Sequence, residues 1–391
     1  MSRSFSTMVA PVVFAIFTCF LFAPEAGATN PTTLYNFTGG ADGADPLGGV
    51  IQDASGTIYG ETFEGGAAAC TTRYKASKGC GTVYSWNPAG GLSVLASFNG
   101  PNGAHGNASL VKLGDTLYGL TEYGGASDDG VVFSVSTSGA NYTILHQFVG
   151  ADGAEPVAIV LGRNGILYGI TTAGGARNEG TLFSLKPSGA YTMLHSFAAP
   201  AGAAPNSLII ANDGTLVGGT TDGGAVTEGC HKGCGTVFSE KPANGAFKIL
   251  YSFPGSSKIG QYPHVGSIGP GPTIYASQLY AAFSLSNAGY TNLGTYNFYG
   301  VGDGPEGGPV YTPGGVLYGI LSGAAGGGFG DLYSLQNGVF TFVIGWDGLS
   351  DGGRPIAQPT LTPFNTLIGT TTEYGDCNNC GTIWQYGPLP Q

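Results

Sequence analysis

Charge is what this sequence has least of. Only 9% of its 391 residues are Asp, Glu, Lys or Arg, and 13 basic residues face 24 acidic ones, for a formal net charge of −11. That balance argues against nucleic acid and against an anionic membrane surface as partners. Helical periodicity is also missing: after residue 29 no segment repeats its apolar residues at helical spacing. No second long apolar run follows residue 29, so no membrane insertion is expected. The sequence has no nucleophile elbow, phosphate loop, dinucleotide fingerprint or HExxH motif, which counts against serine hydrolases, nucleotide enzymes and zincins. Glycosidases and lyases, whose residues are scattered, are untouched by those absences.

Glycine is abundant, 71 residues, and it recurs with Tyr and Phe in a fixed order. A first anchor appears as Ile58-Tyr59-Gly60, Leu117-Tyr118-Gly119, Leu167-Tyr168-Gly169 and Leu317-Tyr318-Gly319. Weaker copies are Leu216-Val217-Gly218, Ile274-Tyr275-Ala276 and Leu367-Ile368-Gly369. A second anchor, Gly-Thr-Val-Phe in type, occupies 81–84, 130–133, 180–183, 235–238, 330–333 and 381–384, with a decayed copy at 280–283. A third ends in an aromatic residue: Phe37, Phe98, Phe148, Phe197, Phe253, Phe298 and Trp346. A period of about 50 residues filled with short β-type runs points to a propeller or another repeat array.

In the cleanest copy the expected strands are 157–161, 166–172, 181–185 and 191–197, here called a to d. They are rich in Val, Ile, Leu, Thr, Tyr and Phe and bounded by glycine turns. The chain starts on a d-type strand at residue 32 and ends on a c-type strand, 382–386. The expected fold is therefore all-β: a seven-bladed β-propeller of four-stranded antiparallel blades, closed by the N-terminal strand completing the last blade. Such closure removes an exposed edge. The alternative is an open β-solenoid of the same units.

The order LYG-x-T-x-x-GG, GTVF, L-x-S-F and DG-x-x-P resembles the GloVer tandem repeat of secreted bacterial proteins, over essentially all of residues 32–386. The resemblance implies the fold and export, and no general activity or catalytic residues. Two departures stand out: no surface anchor follows Gln391, and the fifth unit, about 266–298, is eroded.

Residues 1–28 read as a cleaved signal peptide, with Arg3, an apolar stretch and the small residues Ala26-Gly27-Ala28. Residues 29–391 are then one propeller domain, expected to be a monomer that is secreted or periplasmic. Six further cysteines form close pairs, Cys70 with Cys80, Cys230 with Cys234 and Cys377 with Cys380, all between strands b and c. In an exported chain these read as local disulfides, and a metal site at Cys377 and Cys380 with His231 as the weaker alternative.

Any site is expected on the face that carries the long b–c and d–a loops. Candidate ligand-binding residues there are Glu61, Glu122, Tyr123, Asp222, Glu373 and Tyr374. Carboxylates bind sugar hydroxyls and tyrosine rings cover sugar C–H faces, so the expected partner is a polysaccharide or surface glycan. The same carboxylates, Glu61, Glu122 and Glu373, are candidates for glycoside hydrolysis; Tyr262 and His264 with Arg354 are candidates for β-elimination from a uronic acid polymer. The bland reading of the Thr and Glu positions is that they cap strand ends. His146 and His195 share one repeat position and are expected to be structural. The Asp-Gly pairs of the d–a loops, such as Asp42-Gly43 and Asp152-Gly153, are read as turns rather than Ca²⁺ sites. No metal or other cofactor is expected. A protein-interaction module remains a further alternative.

Overall fold

The computed structural model describes residues 31–66, 69–73, 78–227, 230–255, 261–279, 281–296, 305–323, 329–348, 351–373 and 380–389. Seven antiparallel sheets follow one another along the chain. Blade 3 is the type: Ala154–Leu161, Leu167–Ala173, Thr181–Leu185 and Tyr191–Ser196, paired in that order. Strand a runs three residues further toward its N-terminus than the sequence predicts. In blade 2 it is split into Ala104–Gly106 and Val111–Leu113.

Seven apolar cores lie between the blades, one for each neighbouring pair, and the last joins blade 7 to blade 1. The sheets thus form a closed ring. Closure occurs as expected: Thr32–Asn36 pairs with Thr382–Tyr386 and supplies the outer strand of blade 7.

The three sequence anchors explain how the ring is held. The glycine of the first anchor leaves room for the aromatic ring of the second: a Cβ on Gly169 would lie 2.4 Å from Phe183, and one on Gly369 2.4 Å from Trp384. The aromatic that ends strand d then packs against the c-strand aromatic of the next blade. These contacts are Phe37–Tyr84, Phe98–Phe133, Phe148–Phe183, Phe197–Phe238, Phe253–Phe283, Tyr296–Tyr333 and Trp346–Trp384, with centroids 5.1 to 5.4 Å apart. Each such pair contributes about 0.5–1.5 kcal/mol beyond its area. At the sixth place, the end of blade 5, the residue is Tyr296, two positions before the expected Phe298, which lies outside the described residues.

The fifth unit is eroded in its loop and whole in its strands. His264–Ile268, Ile274–Gln278, Ala281–Ser286 and Gly289–Thr295 form a complete blade. Its b–c connection shrinks to residues 279–280, whereas that of blade 4 runs from Asp222 to Thr236.

Cys70–Cys80 and Cys230–Cys234 are disulfide-bonded as expected. Cys380 is also disulfide-bonded; its expected partner Cys377 lies outside the described residues, as do residues 1–28. Among the described residues no helix is long and apolar enough to cross a membrane.

Candidate functional site

The a strands of all seven blades surround a central channel, and its mouth opens on the face of the b–c and d–a loops. One backbone device builds that mouth. The d–a residue two before strand a's first channel-facing position adopts a left-handed conformation at Asp45, His105, Glu155, Ala204, Tyr262 and Arg354, with φ between 49° and 63°. Such backbone is uncommon outside glycine. It is held by the amide, which donates to the b–c loop of the preceding blade: Asp45 to the Cys380 carbonyl at 3.0 Å, His105 to Cys80 at 2.8 Å, Glu155 to Asp129 at 3.1 Å, Ala204 to Glu179 at 2.9 Å. The disulfides therefore brace carbonyls that aim this ring of side chains.

Inside the ring lies a cavity of about 570 Å³ whose polar lining includes Asn107, Glu122, Asn206, His264, Glu306 and Gln358. Asn107 Nδ2 donates to Glu122 at 2.9 Å, Asn206 Nδ2 to Thr221 at 3.2 Å, and Gln358 Nε2 to the Gly266 carbonyl at 2.8 Å. Two arginines tie acidic loops beside it. Arg73, from the Cys70–Cys80 loop, pairs with Asp129 at 2.7 Å and Glu155 at 3.2 Å. Arg354 pairs with Glu373 at 3.2 Å and with Glu306 at 4.0 Å.

Burial sets the protonation of the mouth. It pushes the Asp45 carboxyl up to about 7, with Glu64 and Glu373 adding to the rise and Arg354 opposing it. Burial also raises Glu122, and neighbouring Glu155 raises it further while bonds from Tyr123 and Asn107 oppose. Burial among the channel walls pulls His264 down to about 4, so its imidazole is neutral at neutral pH.

The candidate residues separate clearly. Glu122 and His264 reach the channel, and Glu373 sits at its rim with Arg354. Glu61 does not reach the face at all: it is fully buried between blades 1 and 2. Its position is one residue earlier along strand b than the threonines that reach the loops, and alternation turns it into the seam. Tyr123 is also buried; its ring lies edge-on to His105 at 5.8 Å and beneath the Arg73 guanidinium at 5.3 Å, leaving no open platform for a sugar. Asp222 ends strand b of blade 4, 3.9 Å from Lys232 of the following loop. Tyr262 is partly exposed on blade 5, two blades from Arg354. Tyr374 lies outside the described residues.

Glu122 and Glu373, alike in sequence, are not equivalent in place. Gly353 bridges to Glu373 as Ala104 pairs with Tyr123, so Glu373 matches Tyr123 and Glu64. The strand-end threonines are structural: Thr171 Oγ1 lies 2.9 Å from Thr181 Oγ1 and donates to the Ala173 carbonyl at 2.8 Å, and three further blades repeat the threonine pair. His146 stacks on Tyr191 at 4.1 Å and His195 on Phe247 at 3.7 Å, both between blades. His105 is fully buried, its Nδ1 2.8 Å from the Phe63 carbonyl. The Asp-Gly carboxylates close their own loops: Asp42 accepts from the Thr38 amide at 2.8 Å and Asp152 from the Val149 amide at 3.0 Å. Among the described residues no group of three or more His, Cys, Asp or Glu is arranged to hold a metal ion.

Sequence reading missed Asn107, Asn206, Gln358 and Arg73. The signal that could have found Asn206 was the residue pair X-Pro that opens most units, as in Asp45-Pro46, Glu155-Pro156 and Ala204-Pro205, which marks the channel-facing residue just after it; the unit of Asn107 has Gly106 in place of the proline.

Similar solved structures are propeller proteins. Streptogramin B lyase aligns with TM-score 0.59 and 11% identity over 91% of this chain and 97% of its own. The extracellular domain of a candidate hybrid two-component system of B. thetaiotaomicron aligns with TM-score 0.54 and 13% identity over 90% of this chain and 41% of its own. A 6-phosphogluconolactonase candidate from Bacteroides fragilis NCTC 9343 aligns with TM-score 0.52 and 18% identity, over 81% and 86%. At these identities the likeness is one of fold. No curated protein matches the sequence. The family model described as the Gloeobacter/Verrucomicrobia repeat matches residues 17–231 and 64–281, more than half of the chain, and the chain belongs to that repeat family.

Proposed function

We propose that this propeller is an exported glycan-binding protein and that a saccharide, most simply the end of a polysaccharide chain, enters the channel mouth. The observation that carries this is the convergence of Asn107, Glu122, Asn206, His264, Glu306 and Gln358, from five blades, on one cavity of about 570 Å³. Amide, carboxylate and neutral imidazole groups exchange hydrogen bonds with hydroxyls without needing a ligand charge. Export is supported by the disulfides Cys70–Cys80 and Cys230–Cys234, which persist in oxidising compartments.

Electrophoresis through native gels, each cast with one polysaccharide, tests the reading. Retardation in at least one gel, abolished by Glu122→Gln together with His264→Ala, is the expected result. Unaltered migration in every gel removes it and leaves protein interaction as the better reading.

A second reading, hydrolysis of the bound glycan, is favoured by one feature. Asp45 is pushed up to about 7, chiefly by burial, and stands beside Glu64 and Glu373, which suits a proton donor in a pair of carboxyl groups. A cleared zone around the retarded band, lost in Asp45→Asn, distinguishes it from binding alone.

A further inference from the structure

Each seam between blades has a place for one large side chain from the first anchor. Tyr59, Tyr118, Tyr168 and Tyr318 fill it and are buried. Tyr275 fills it too, stacked at 5.1 Å and 4° on Tyr311 of the next blade. Blade 7 carries Ile368 instead, and blade 1 answers with Trp86 in the same core. Trp86 pairs with Ile58 as Leu185 pairs with Leu167, so it is an enlarged leucine position.

Blade 4 carries Val217, and blade 5 gives no such answer: the matching residue is Leu285, paired with Ile274. The seam between blades 4 and 5 accordingly opens into a cavity of about 1060 Å³, walled by Ile209, Val217, Tyr251, Ile268, Leu285 and Tyr290. It lies among the a–b turns, on the face opposite the channel mouth, and does not depend on the saccharide reading. Tyr251 and Tyr290 stack at 5.0 Å and 19° along one wall.

The slot keeps its hydroxyl partner. In blade 3, Asn164, four residues before Tyr168, donates to the Tyr168 hydroxyl at 3.1 Å. In blade 1, Tyr59 donates to a residue two places earlier in the same turn, Asp53, at 3.2 Å. Asp213 stands four residues before Val217 and lines the cavity. Its carboxylate accepts from the Thr215 amide at 2.9 Å, with the Lys241 ammonium at 3.6 Å.

We infer that the seam between blades 4 and 5 binds a small free phenol, its ring in the slot that tyrosine fills in five other seams and its hydroxyl directed to Asp213. An apolar cavity left by a large-to-small replacement takes an aromatic ring of matching size. The volume beyond one ring leaves space for substituents.

The test is calorimetric titration of the purified full chain with p-cresol, the side chain of tyrosine, and with toluene as the hydroxyl-free control. Binding of p-cresol, tighter than toluene, is expected. Val217→Tyr refills the slot and should weaken p-cresol at least tenfold. Leu285→Trp copies the remedy of blade 1 and should do the same, which keeps the test decisive if one variant fails to fold. Asp213→Ala should remove the preference for p-cresol over toluene. No p-cresol binding to the unaltered chain, or equal binding by the refilled variants, overturns the inference. So does a concentration-dependent dimer that Val217→Tyr abolishes while p-cresol fails to bind, because the slot would then belong to a second copy.

Discussion

A Cβ on Gly119 would lie 2.0 Å from Glu61 Oε1, so the carboxyl of blade 1 occupies space that a glycine of blade 2 leaves vacant. Gly106 does the same on the other side, 2.6 Å from Oε2. Neither oxygen completes a hydrogen bond, although the amides of Leu120 and Ala108 lie nearby. Burial holds the acid well above the ordinary range and favours its protonated form.

Glu61→Leu should therefore stabilise the fold by about 1–3 kcal/mol, the usual cost of an unsatisfied buried polar group. Leu120, Ile170 and Ile320 are the counterparts in other blades. The gain should grow with pH. The folded chain keeps the proton that the unfolded chain releases above about 4.5, so the native contribution is full below that value and is lost as pH rises toward the raised folded pKa. Urea denaturation at pH 5 and pH 8 checks both sign and slope; an equal gain at the two values refutes the buried-acid account.

His264 should behave in the opposite sense. Its folded pKa is depressed to about 4 by burial, so the unfolded chain takes up the proton first as pH falls below about 6.5. Its contribution is present above that value and is lost as pH falls toward 4. Proton NMR of the imidazole should show no titration between pH 7 and 5, and a midpoint near 6.5 would refute it.

The two described disulfides should differ in worth. Cys70–Cys80 spans a sequence separation of 10 and Cys230–Cys234 one of 4. Loop-closure entropy assigns about 3 kcal/mol to the first and about 2 kcal/mol to the second. Paired Cys→Ala variants of each, melted side by side, should show the larger loss for Cys70 and Cys80.

Thr171→Val should cost about 1–3 kcal/mol, because it leaves the buried Thr181 amide without the Thr171 oxygen it donates to at 3.0 Å and removes the bonds to the Ala173 carbonyl and the Thr181 hydroxyl. Thr62→Val, which removes the same bonds to Thr82 and the Glu64 carbonyl, should cost a similar amount. Thermal melts of the two variants measure both; a loss well below this range at both positions would mean the hydroxyl pair is dispensable.

The blades were legible because their anchors are physical necessities that repeat: Gly169 must admit Phe183, and Phe197 must reach Phe238. The clasp was legible from a d-type start and a c-type finish. The site was less so, because one residue of register decides which way a side chain points. Glu61 stands one place after the anchor glycine and Glu122 three, so alternation alone would give both the same face; Glu61 is locked in a seam, whereas Glu122, at the end of its strand, lines the channel. Glu122 and Glu373 are each followed by Tyr-Gly in the sequence, yet the bridge to Gly353 shows blade 7 one residue longer there. That the channel amides Asn107 and Asn206 act together was hidden for another reason: they share a cavity only after the ring has closed.

That closure has a consequence for how the molecule comes into being. The partner of Thr32 is Gln385, nearly the whole chain away. During synthesis the first strand must wait, with its edge unsatisfied, until the last strand has been made. Every other blade can fold from contiguous chain, so the ring is assembled early and sealed late. Contacts of such long sequence separation slow folding, and the waiting edge strand is where a folding helper would act.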